Sequence, residues 1–196
     1  MTVLGWRGLT RLLVAFAVWS VVASYVFPGY SRLVLPTTTA ALDVVRPHGL
    51  DLVLANEYPS LRWSFTSPDI GPQEGALSFT LLAYNTVLYM CLATAFPGLT
   101  WRGRLAFVAS AAPMVFLFHV IDLGLTVESR VLSVLQVEHY DFLHDFGLWF
   151  SLVKGYNFLS VMALKQVVFV GLFYLQWRWL SRWAPWARSA SADGAD

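Results

Sequence analysis

Four stretches of this chain run for about 20 residues with no charge or almost none, and that property excludes most soluble folds. A membrane-crossing helix needs roughly 20 apolar residues to traverse about 30 Å of hydrocarbon. The first stretch covers residues 12–27, follows Arg7 and Arg11, and meets no charge before Arg32. The second covers 75–96 and is closed by Pro97-Gly98. The third covers 105–125 and is uncharged until Asp122. The fourth covers 157–179 and is interrupted by Lys165. Only 13% of the 196 residues are charged, against about 25% in soluble domains, so too few charges remain to clothe a water-exposed surface. The reading is an all-α integral membrane bundle of about four transmembrane helices, one domain over 1–188 with a disordered polar tail over 189–196.

Orientation follows from the basic residues. Arg7 and Arg11, then Arg102 and Arg104, then Arg178, Arg182 and Arg188 fall on one side of such a bundle. Most of the acids, among them Asp51, Glu57, Glu74, Glu128 and Asp145, fall on the other. Basic loops stay cytoplasmic, which puts both termini in the cytoplasm of a bacterial inner-membrane protein and leaves the first span as an uncleaved anchor. The outer segments are 29–74 and 126–156. Ser31–Val45 carries apolar residues at helical spacing and reads as a surface helix. Leu50–Ala55 and Leu61–Phe65 flank Asn56-Glu57-Tyr58-Pro59-Ser60 as a hairpin. Thr126–Phe146 reads as an amphipathic helix at the interface. A net charge of +1 argues against a nucleic-acid partner, and the lone Cys91 excludes an internal disulfide and any cysteine metal cluster. Its depth in the second span makes it a small core residue.

The residues able to carry chemistry lie toward the outer leaflet. His119 and Asp122 are three apart and share a helix face. Ionisable groups inside membrane helices are costly and face protein or water-filled cavities. Thr80, Tyr84 and Asn85 occupy the outer half of the second span and, with Lys165, form a candidate pocket lining. His139, Asp141, His144 and Asp145 cluster before the fourth span. Asp122 can orient an imidazole for general-base work, or bind a metal with His119 and either His139 or His144, although no tight ligand motif links them. The plainer alternative is that His119 and Asp122 are hydrogen-bonded glue between helices, and that Lys165 is ion-paired or snorkels. No cofactor motif is present.

His144-Asp145-Phe146-Gly147-Leu148-Trp149-Phe150 resembles the His-Asp-Phe-Ser-Gly-Trp segment of exosortases and archaeosortases, polytopic membrane transpeptidases that process C-terminal sorting signals at the outer face of the membrane. Pro113–Asp122 is similar to the helix in which that family carries Asn-x-x-Arg. Ala95–Arg104 is similar to its connection between second and third spans. The resemblance covers roughly residues 50–179 and implies a catalytic Cys, Arg and His. Here the stretch matching the Cys is Leu77-Ser78-Phe79-Thr80, with no cysteine, and the Asn-x-x-Arg positions read His119-x-x-Asp122. Only His144 is retained. A hydroxyl is a weaker nucleophile than a thiolate, and an aspartate opposes the oxyanion that an arginine stabilises.

The resemblance therefore implies a non-catalytic accessory protein of a protein-sorting system, similar to the membrane proteins associated with H-type exosortases. Its expected partners are the bilayer, a catalytic exosortase, or the proteins such an enzyme sorts. Two other readings stand beside it: a membrane enzyme using His119, Asp122 and His144, and a small transporter subunit in which Asp122 and Lys165 line a path.

Overall fold

The structure, a computed structural model, describes residues 6–68, 70–96, 99–138, 146–160 and 165–183. Its elements are α1 (Trp6–Val45), β1 (Asp51–Glu57), β2 (Ser60–Ser67), β3 (Gly71–Ser78), α2 (Phe79–Ala95), α3 (Trp101–Glu138), α4 (Gly147–Leu159) and α5 (Lys165–Trp183).

The first stretch and the surface helix expected after it are one helix. α1 is 40 residues long and runs through Pro28 and Pro36. A proline inside a helix removes a backbone donor. Just beyond Pro36, the hydroxyls of Thr37, Thr38 and Thr39 donate to the carbonyls of Leu33, Val34 and Leu35, each four residues back, so the helix is laced by side chains where the backbone ladder is interrupted. α3 likewise merges the third stretch with most of the outer amphipathic segment into 38 residues. At 1.5 Å per residue these helices measure nearly 60 Å, about twice the hydrocarbon thickness.

The strands form an antiparallel sheet in the order β1-β2-β3. The expected hairpin is present as β1 and β2, in register from Asp51 opposite Thr66 to Glu57 opposite Ser60. Leu61, Trp63, Phe65 and Ser67 alternate inward along β2, the period of two that a one-sided sheet requires. The third strand is a correction. Gly71–Ser78 pairs along β2, with Trp63 opposite Gly75. Gly75 has to be glycine there: a Cβ would stand 2.3 Å from the Trp63 ring.

The expectation of an all-α bundle with four spans is overturned. Among the described residues, two helices are long and apolar enough to cross a membrane, Gly8–Val45 and Trp101–Val137, and a three-stranded sheet accompanies them. The second stretch fails because its start is spent on β3. Phe79, whose N–H donates to the Pro59 carbonyl at 3.0 Å, opens a helix of only 17 residues. The fourth fails because α4 takes its first residues, and α5 carries Lys165, Arg178 and Arg182 within 19 residues. Only 11% of the most apolar window of α1 is buried within the protein. A soluble core helix would be buried, so this exposed apolar surface supports membrane association.

The chain divides into two compact units, one of residues 1–26, 84–116 and 165–196, the other of 27–83 and 117–164. The first is centred on an aromatic cluster. The Tyr89 ring lies against Phe107 at 5.7 Å, Phe107 against Phe173 at 4.9 Å, and Phe96 against Trp177 at 4.7 Å. The Tyr89 hydroxyl donates to the Gln176 side chain, which donates to Ser110 Oγ at 3.2 Å. Cys91 is fully buried in this unit, as expected of a small core residue. In the second unit, Gly124 of α3 faces α1, where a Cβ would meet Thr38 and Leu42 at ordinary van der Waals distance.

Candidate functional site

The polar groups of the second unit are strung along α3 from its midpoint into its C-terminal half. His119, Asp122, Glu128 and Ser129 are all buried. Burying such groups is costly unless they are hydrogen-bonded, and the side chains of His119, Asp122 and Glu128 find partners elsewhere in the unit. His119 Nδ1 is 2.8 Å from the Tyr30 hydroxyl of α1, with the two rings packed edge to face. Asp122 Oδ1 accepts from the Tyr156 hydroxyl at 2.9 Å and the Ser160 hydroxyl at 3.1 Å, both at the end of α4. His119 and Asp122, one turn apart, thus serve contacts to different helices.

One turn and a half beyond Asp122, Glu128 Oε1 bonds His48 Nε2 and accepts from the Trp149 indole at 2.9 Å. Its second oxygen, Oε2, is buried with no hydrogen-bond partner. Lys154 of α4 donates to the Ser129 carbonyl at 3.0 Å and to the Ser133 hydroxyl, with its ammonium 5.6 Å from the Phe150 ring centre. Burial, and then the charge of Arg130, lower the Lys154 pKa from the ordinary lysine value. Burial raises that of the Tyr156 phenol, and the neighbouring Asp122 adds to the effect.

The sequence candidates fall in both units or outside the described residues. Thr80 is exposed and belongs to the same unit as His119 and Asp122. Tyr84 and Asn85 belong to the other unit, where the Tyr84 ring packs edge-on against Phe16 and Asn85 is buried. Lys165 opens α5 in that unit, but its side chain lies outside the described residues. His139, Asp141, His144 and Asp145 also lie outside them, as does the tail over 189–196. Among the described residues, no three His, Cys, Asp or Glu side chains converge as a metal site.

Sequence reasoning missed Tyr30, His48, Lys154 and Tyr156, and counted Glu128 only as an outer acid. His48 and Glu128 are 80 residues apart, and no local pattern pairs them. The one available signal is a carboxylate six residues beyond Asp122 in an apolar helix, where an ionisable side chain demands a partner.

Fold and site define a mostly helical protein, with two helices long and apolar enough to cross a membrane, a small antiparallel sheet, and a buried polar seam that ties α3 to α1 and α4. Comparison with known proteins adds nothing to this class: no family model, curated protein or solved structure matches the chain.

Proposed function

We propose that this chain is a non-catalytic membrane accessory protein of an exosortase-like protein-sorting system, seated in the bacterial inner membrane with its amino terminus in the cytoplasm. The observation that carries the reading is how its candidate chemical groups are employed. The only thiol, Cys91, is fully buried, and a thiolate must reach its substrate to attack it. Asp122 is occupied by two hydroxyl donors and His119 by a phenol, the pattern of polar glue between helices. The cytoplasmic placement of the amino terminus rests on Arg7 and Arg11, the basic residues at the start of α1.

The test is affinity purification of the tagged chain in mild detergent from cells that also make a cysteine-dependent exosortase. Co-purification of the enzyme, with sorting impaired when the chain is deleted, supports the reading. A chain that purifies alone and whose deletion leaves sorting intact overturns it. In the same cells, an amino-terminal tag shielded from protease in intact spheroplasts supports the cytoplasmic placement, and its cleavage contradicts it.

A further inference from the structure

The first unit carries a groove of about 890 Å³ along the amino-terminal half of α1, facing the end of α2 and the start of α3. Its volume lies in the range of small-molecule sites. Thr10, Arg11 and Arg104 line it, and Val14, Val18 and Val22 follow Arg11 along one face of α1. The valines recur every four residues, a spacing that keeps side chains on one helix face. All three are open to the surroundings, Val14 at 57% and Val18 at 54% exposure. Trp19 also lines the groove, its indole donating to Thr94 Oγ1 at 3.1 Å. Arg104 is held by the Phe96 carbonyl through one terminal nitrogen at 3.2 Å, while its Nε is buried with no hydrogen-bond partner.

Two guanidinium groups in the lining of an exposed apolar channel fit an anion joined to a hydrocarbon chain. Arginine is the preferred side chain for phosphate oxygens, and basic pockets on the cytoplasmic side of membrane proteins take anionic headgroups. The length agrees as well. From Arg11 to Val22 the helix rises about 16 Å, close to half of the roughly 30 Å hydrocarbon thickness, which is the depth of one leaflet. We propose that this groove holds one anionic phospholipid of the cytoplasmic leaflet, its phosphate against Arg11 and Arg104 and one acyl chain along Val14, Val18 and Val22. The inference rests on the membrane placement proposed above, but not on any exosortase partner.

The test is native mass spectrometry of the purified full chain, released from nanodiscs containing equal amounts of phosphatidylglycerol and phosphatidylcholine with the same acyl chains. Retention of phosphatidylglycerol at least fivefold above phosphatidylcholine is expected. Arg11→Gln, at an exposed position, and the Arg11→Gln/Arg104→Gln pair should each reduce that preference, the pair abolishing it. Ala15→Phe, which fills the channel without touching the charge, should reduce retention of both lipids. Arg102→Gln removes an equal charge from the neighbouring turn and should leave retention unchanged. Equal retention of the two lipids, or a loss with Arg102→Gln matching that with Arg11→Gln, overturns the proposal. So does competition by millimolar inorganic phosphate, which marks a headgroup-only anion site. Release of the chain from membranes by alkaline carbonate defeats the membrane placement itself, whereas indifference to lipid type in a firmly integrated chain defeats the groove alone.

Discussion

Asp122 shows how a residue that reads as chemistry in a sequence can be structure in a fold. It is fully buried, and one of its oxygens receives two hydroxyl protons, from Tyr156 of α4 and from Ser160 just after it. Asp122→Ala deletes the acceptor and strands Tyr156 and Ser160, at roughly 1–3 kcal/mol for buried groups left unsatisfied. Asp122→Asn keeps a carbonyl oxygen in place and should cost less than half as much. Melting temperatures of the two variants in one detergent check this; equal losses would show that the carboxylate has a role these two bonds do not account for. Glu128 is the same lesson with the partners reversed in sequence, since its bonds reach back to His48 and forward to Trp149.

Among the elements, β3 is the least self-sufficient. Its sequence, Gly-Pro-Gln-Glu-Gly-Ala-Leu-Ser, is poor in the β-branched and aromatic residues that favour strands, so it is a strand because β2 provides a partner and a place. The inward Trp63 of β2, stacked on Phe65 at 6.1 Å, occupies the space over Gly75. Gly75→Ala drives a methyl group into that ring and should cost about 1–3 kcal/mol, as overpacking of a filled site does. Gly124→Ala supplies the contrast, since its added methyl group meets Thr38 and Leu42 at ordinary contact distances; it should be neutral or slightly stabilising through better helix propensity. Comparing the melting temperatures of the two variants tests the packing at both glycines.

For the whole molecule, stability should carry a signature of Lys154, which lies on α4 outside the two apolar helices. Its pKa is lowered in the folded state by burial and then by Arg130. The unfolded chain therefore keeps that proton to higher pH than the folded chain. Stability rises with pH wherever the unfolded state binds more protons. The rise should occupy the window from the lowered pKa up to the ordinary lysine value of about 10.4, with no contribution to the slope well below it. A melting-temperature series across alkaline pH should show this rise in the wild type and a flatter profile in Lys154→Met; identical profiles would exclude the lysine as its source.

What the sequence determined alone was whatever short-range pattern can encode. Uncharged runs predict helices long enough for a bilayer, and two of them are. The alternation and turn residues over 50–65 predict a hairpin, and it is there. A buried Cys91 follows from apolar neighbours. Tertiary structure decided the rest, because the deciding interactions join distant residues. β2 turned the head of the second apolar run into β3 and shortened α2 below a spanning length. Packing against α4 assigned Asp122 its donors, and a contact across 80 residues joined His48 to Glu128. A bilayer selects for composition, which one segment carries by itself; a strand pair or a buried hydrogen bond needs two segments and exists only once the chain has brought them together.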